Sequence, residues 1–155
     1  MHARPLSPTD AARMAAIHAA SFPRPWDALE MSRHLVRDLC VGAGEPLASF
    51  AILRTSDVDA EVLTVATDPA RRGCGLGRAV LEAAHARCRA AELRDVFLEV
   101  AEDNAAARAL YAALGYRPIG RRPGYYQREG GRVAAITYGL SLEGGLSLDG
   151  GRGDG

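Results

Sequence analysis

Val62-Leu-Thr-Val-Ala-Thr-Asp-Pro-Ala-Arg-Arg-Gly-Cys-Gly-Leu-Gly-Arg-Ala-Val-Leu81 is the stretch on which the fold turns. It predicts a β-strand that feeds, through a glycine-rich loop, into the first turns of a helix. Val62 to Thr67 is short, apolar and β-branched, and Asp68-Pro69 ends it, because proline has no N–H for a ladder and restricts the residue before it. Gly73, Gly75 and Gly77 permit positive φ and leave backbone N–H groups uncovered. Leu76, Val80, Leu81 and Ala84 then fall at helical spacing. Free amides at a helix N-terminus add to the helix dipole to make an anion site, and Arg71, Arg72 and Arg78 bring positive charge beside it. The expected guest is a phosphate or pyrophosphate.

Three kinds of anion loop differ in their residues. A Walker loop needs G-x-x-x-x-G-K-[ST], and neither the Lys nor the Ser/Thr is in place. The dinucleotide fingerprint G-x-G-x-x-G would need glycine where Arg78 stands. The remaining order, R-x-x-G-x-G, is written here as Arg72-Gly73-Cys74-Gly75-Leu76-Gly77. Taken alone it is either a pyrophosphate loop or a glycine-rich turn with no ligand.

The chain as a whole bounds the answer. Its 155 residues suit one domain with a proper core. With 19 basic and 19 acidic residues the formal charge is zero, so no direct grip on nucleic acid is expected and any bound polyanion should be small. Every basic residue is arginine, which removes self-acetylation on lysine. Cys40, Cys74 and Cys88 are odd in number and lack C-x-x-C spacing, and the four histidines form no H-E-x-x-H, so neither a disulfide frame nor a metal is expected. No signal peptide or membrane span is legible, and the expectation is a cytoplasmic protein in a reducing compartment.

Residues 3 to 8 read as a short strand. A helix capped by Thr9 or Asp10 runs to about Ala20, and Ser21-Phe-Pro-Arg-Pro-Trp26 breaks it. A second helix, capped by Asp27 and running to about Arg37, is expected to turn Leu29, Leu35 and Val36 inward. Leu39 to Ala43 and Leu47 to Arg54 make a hairpin around Gly44-Glu-Pro46. After the Val62 strand and its helix, which runs to about Ala91, come a strand from Arg94 to Val100 and a helix from Asn104 to Leu114. Gly115 ends that helix. Strands over Tyr116–Arg121 and Val133–Leu140 turn at Gly130-Gly131, and residues 143–155 read as a disordered Gly-rich tail after a domain over 1–142. The order β-α-α-β-β-β-α-β-α-β-β makes an α/β (α+β) domain, a mixed sheet with helices on both faces.

In Val96-Phe97-Leu98-Glu99-Val100, alternation sets Glu99 apart from the apolar face, near the end of a strand where open sheets bind ligands. Alone it reads as a solvated carboxylate. Tyr111, on the stripe Ala107-Leu110-Tyr111-Leu114, reads alone as a core aromatic. Together, Leu98-Glu-Val-Ala-Glu-Asp-Asn-Ala-Ala-Ala-Arg-Ala-Leu-Tyr-Ala-Ala-Leu-Gly-Tyr116 resembles the pattern L-E-V-x-x-x-N-x-x-A-x-x-L-Y-x-x-x-G-F/Y of the GNAT acetyltransferases. The loop at 72 to 77 is similar to that family's pyrophosphate loop, and the two motifs stand in the family's order. Pro25-Trp26 and Arg121-Arg122-Pro-Gly-Tyr125-Tyr126 resemble features of its ribosomal-protein-alanine N-acetyltransferases. The likeness spans residues 6 to 140 and is strong from Val62 onward. Two departures are Arg72 for a commoner glutamine and a longer Phe22-Pro-Arg-Pro-Trp26 segment, which bears on acceptor choice.

The resemblance implies a mostly antiparallel GNAT sheet and transfer of acetyl from acetyl-CoA to a protein's N-terminal α-amine, with no metal. It implies Glu99 as general base and Tyr111 as general acid. Backbone around Val65, Ala66 and Thr67 would hold the acetyl oxygen and pantetheine. Arg72, Gly73, Cys74, Gly75, Leu76, Gly77 and Arg78 would bind the pyrophosphate, and Asn104 would contact CoA. Trp26, Tyr125 and Tyr126 are candidates for the acceptor site, with packing as the alternative use of each. The implied partner is a protein N-terminus, that of a ribosomal protein in the subfamily resembled, met by a monomer or weak dimer. A small amine, an antibiotic or a lysine side chain as acceptor, a non-catalytic CoA-binding module, and a Rossmann-type nucleotide module are the alternatives.

Overall fold

Short strands alternating with helices build a seven-stranded sheet in the computed structural model, which describes residues 2–143. The expected tail beyond residue 143 lies outside the described residues. In chain order the elements are β1 (Ala3–Pro5), α1 (Ala11–Ser21), α2 (Ala28–Arg37), β2 (Leu39–Ala43), β3 (Ser49–Thr55), β4 (Asp59–Thr67), α3 (Leu76–Ala90), β5 (Asp95–Ala101), α4 (Ala105–Ala113), β6 (Arg117–Arg128) and β7 (Gly131–Ser141). The expected order of elements holds throughout. The strands lie in the order β1-β2-β3-β4-β5-β7-β6, and all pairs are antiparallel except β4 with β5.

Local chemistry sets the helix starts. Asp27 accepts the Glu30 N–H at 2.9 Å while Glu30 accepts the Asp27 N–H at 3.0 Å, a reciprocal cap on α2. Asp10 stands at the N-cap of α1 but does not cap it. Its carboxylate turns back to the Ser7 N–H at 2.9 Å and to the Arg4 guanidinium at 3.1 Å. The inward face of α2 also differs from expectation. Met31 is its fully buried residue, Leu35 is half-buried, and Leu29 and Val36 are exposed, because the stack of Trp26 on His34 sets the rotation of the helix. Edge strand β6 is longer than expected. Its N–H side needs no partner, so Pro118 and Pro123 break the register without ending the strand.

Two apolar layers sandwich the sheet. On one face α1 and α2 bury Met14, Ile17 and Met31 against Phe50, Ile52 and Ala66. On the other, α3 and α4 bury Leu76, Val80, Leu81 and Tyr111 against Val41, Ala51, Leu53, Val96, Leu98 and Val100. The feature that makes the site is where the sheet opens. β4 and β5 pair only at Asp59↔Asp95, Ala60↔Val96 and Glu61↔Phe97, then part. Just past that point Leu63 is bulged out of the β3–β4 register, and a bulge sharpens local twist.

Candidate active site

Two adjoining clefts, of about 540 Å³ and about 760 Å³, occupy the gap between β4 and β5 and share Ser21, Phe22, Val65, Asn104, Ala107 and Tyr111 as walls. The first ends on the glycine loop. Gly73 and Gly75 are left-handed, at φ +79° and +80°, so the loop needs glycine at both. Helix α3 makes its first bond from the Ala79 N–H to the Gly75 carbonyl, which leaves the amides of Leu76, Gly77 and Arg78 without an intrahelical acceptor. Arg71, Arg72 and Arg78 line the same cleft. Arg72 is steadied there by a 3.2 Å bond to the Ser21 hydroxyl, and Arg78 by an ion pair to Glu82.

The strand edge supplies further donors. The Asp68 N–H bonds the Ala48 carbonyl, so by the two-residue alternation of an antiparallel ladder Ala66 also faces β3. Val65 and Thr67 therefore aim their main-chain groups at the side from which β5 has parted. Of the three residues expected to supply main-chain contacts, these two face the gap and Ala66 does not. Asn104 lines both clefts, and its side-chain oxygen accepts the Ala107 N–H at 3.1 Å as the cap of α4. Cys74 is exposed on the loop.

Glu99 and Tyr111 stand on opposite faces of the sheet and reach the larger cleft together through the gap. Burial pushes the Tyr111 phenol up to about 12, so it keeps its proton at every working pH. No side-chain hydrogen bond ties its hydroxyl among the described residues. Its ring is fixed edge-on against Tyr116 at 5.6 Å, and Tyr116 meets buried His85 at 2.6 Å. Glu99 is paired with the Arg122 guanidinium at 2.8 Å and accepts the Thr137 hydroxyl at 3.4 Å. A proton-holding phenol and a carboxylate in one cleft can give one proton to a leaving group and take another from a nucleophile.

The hairpin of β6 and β7 makes the far wall. Tyr126, Gln127, Arg128 and Glu129 line the larger cleft, while Tyr125 lies outside that lining and is about half exposed. Ion pairs Arg121–Glu102 and Arg128–Asp103, both at the surface, tie the hairpin to the turn after β5. Trp26 is not among the cleft walls. It is sandwiched between His18 at 4.9 Å and His34 at 4.6 Å, and its backbone N–H donates to His18 Nδ1. His18 Nε2 must then carry the hydrogen and donate it to Thr64 Oγ1. Phe22 and Pro23, from the same segment that breaks the helix and bears on acceptor choice, line the cleft where Trp26 was expected.

The Acetyltransferase (GNAT) family model matches residues 11–116, more than half of the chain. The chain belongs to the GNAT family. This GNAT protein is 36% identical over 141 residues to N-alpha-acetyltransferase RimI of Mycobacterium tuberculosis, covering 81% of this chain and 84% of that one. It is equally 36% identical over 141 residues to Uncharacterized protein ML0378 of Mycobacterium leprae, and there it spans 37% of the relative's length. The crystal structure of the ribosomal-protein-S18-alanine N-acetyltransferase from Escherichia coli superposes with a TM-score of 0.83 at 30% identity, covering 91% of this chain and 93% of that one. The family uses acetyl-CoA, and this GNAT chain is an acetyl-CoA-dependent N-acetyltransferase related to those enzymes. Among the described residues no helix is long and apolar enough to cross a membrane.

Proposed function

We propose that the protein moves acetyl from acetyl-CoA directly to the N-terminal α-amine of a protein chain, with an alanine- or serine-starting ribosomal protein as acceptor. The observation that carries this reading is the single gap between β4 and β5. It joins the arginine-flanked N-terminus of α3 to a cleft holding both Glu99 and Tyr111. The cradle suits a diphosphate, and the amides of Val65 and Thr67 suit the acetyl oxygen and the amides of pantetheine. An α-ammonium titrates near 7.7 to 8.0, so at neutral pH much of it lacks a free electron pair. Glu99 takes its proton, directly or through a water. The amine nitrogen then bonds the acetyl carbon, the C–S bond breaks as Tyr111 gives its proton to the departing sulfur, and the second proton shed by the new amide nitrogen returns through solvent to the Tyr111 oxygen.

The larger cleft supports a peptide end as acceptor, since it is an open trough between Phe22-Pro23 and the β6–β7 hairpin. The relatives' names point the same way: one is an N-alpha-acetyltransferase and another a [Ribosomal protein bS18]-alanine N-acetyltransferase. Mass spectrometry of peptides incubated with acetyl-CoA tests the proposal. Acetyl on the α-amine of Ala- or Ser-starting peptides, and none on internal lysines, is the expected result. Acetyl on lysine side chains or on small amines in preference to α-amines would overturn it.

A further inference from the structure

We propose that Arg122 decides which nucleophile Glu99 serves, reserving the carboxylate for a cationic amine and withholding it from water. The inference rests on Glu99 acting as the base. Arg122 Nη2 sits 2.8 Å from Glu99 Oε2, the same oxygen that Thr137 reaches from the neighbouring strand. The carboxylate side chain is 23% exposed and the guanidinium 59%, so the cation lies on the solvent side of the base. Its Cζ stands 4.8 Å over the Tyr125 ring, which gives the guanidinium a second seat to retain once it leaves the carboxylate.

The backbone around Arg122 suits a residue that must move aside. Register between β6 and β7 breaks from Arg122 to Tyr126, leaving Pro123, Gly124 and Tyr125 without strand partners. Gly124 is left-handed at φ +60° and its carbonyl accepts from Arg132 Nη1 at 3.2 Å, so the bulge is held while the Arg122 side chain stays free to swing. An α-ammonium replaces the guanidinium charge for charge. A water molecule brings no charge, and displacing Arg122 would leave the carboxylate unpaired.

Without Arg122, water would use the same machinery. Its oxygen would bond the acetyl carbon, the C–S bond would break, Glu99 would take a water proton and Tyr111 would protonate the sulfur, giving acetate and CoA thiol. Arg122 is thus a positioning residue that suppresses this loss. Exposed ion pairs are weak, so its cover is displaceable, and the effects should be about two- to fivefold.

The test is thiol release from acetyl-CoA by the full chain with and without an Ala-starting peptide, read beside calorimetric acetyl-CoA binding. Arg122→Gln should raise acceptor-free release about threefold, lower the peptide KM by a similar factor, and leave acetyl-CoA affinity within twofold. Adding Glu99→Gln should remove the excess, and Arg122→Lys should keep release low. In the wild type, salt raised to 0.5 M should lift acceptor-free release, a readout that needs no variant to fold. Unchanged hydrolysis in Arg122→Gln, or an excess that survives Glu99→Gln, would overturn the assignment. A wild type that acetylates no α-amine would instead overturn the proposed function, and the hydrolysis comparison would still judge Arg122.

Discussion

Acid should loosen this protein through one buried imidazole behind the cleft phenol of Tyr111. His85 is 3% exposed, and its Nε2 lies 2.6 Å from the Tyr116 hydroxyl, whose ring props Tyr111. Burial first, and the Arg89 charge second, push its pKa down from 6.5 to about 4. A folded pKa below the unfolded one means that the unfolded chain binds the proton first. The stability tied to neutral His85 is whole above pH 6.5 and is lost as pH falls, levelling only below about 4. At pH 5 the linkage amounts to roughly 2 kcal/mol, a large share of a small domain's stability. Urea unfolding at pH 7.5 and pH 5 measures it, in the wild type and in His85→Gln, which keeps a polar partner for Tyr116. Buried His18, whose pKa is also lowered by burial, and the carboxylates titrate alike in both proteins and cancel in the difference. The variant should lose roughly 2 kcal/mol less than wild type over that interval. Equal losses in the two proteins would refute the assignment of this acid sensitivity to His85.

Four further outcomes concern the loop, the phenol and a helix cap. Gly75→Ala should cost about 1–2 kcal/mol in urea unfolding and weaken acetyl-CoA binding by calorimetry, because φ +80° is strained for any Cβ although the space is open. Gly77→Ala should leave both unchanged, since its Cβ would meet Thr67 Oγ1 at 3.7 Å and Leu110 Cδ2 at 3.8 Å in ordinary contact. Tyr111→Phe should lower kcat by about a hundredfold or more with acetyl-CoA affinity within twofold, as measured by thiol release and calorimetry; a wild-type rate would remove the phenol from the chemistry. Asp27→Ala should destabilise the fold by about 1 kcal/mol in urea unfolding without altering acetyl-CoA affinity, because the cap it breaks lies away from both clefts.

Much of the candidate site's local structure was legible because its signals are local. Gly73 to Gly77 had to turn and then start a helix, and Leu98 to Tyr116 carries a strand, a capping Asn104 and a helix stripe within nineteen residues. The unread parts depend on pairing across the sheet. Nothing in the chain's periodicity says that β4 and β5 separate after three pairs, yet that gap lets Glu99 and Tyr111 meet from opposite faces. The Arg122–Glu99 pair spans the intervening β7, where Glu99 pairs with Thr137 and Arg122 with Ala135, so the register sets the two on one face, two positions apart. Leu29 and Val36 were expected inward on apolar character alone, whereas the aromatic stack on Trp26 decided which face of α2 turned to the core. The strand expected over Tyr116–Arg121 runs on to Arg128, because at the sheet edge Pro123 costs no ladder bond.

A crystal structure of the protein with acetyl-CoA bound tests the central claim most directly. The diphosphate should lie on the main-chain amides of residues 73 to 78 and the thioester in the gap between β4 and β5, within reach of Tyr111 on one side and Glu99 on the other. A diphosphate bound elsewhere, or a thioester remote from both side chains, would contradict it.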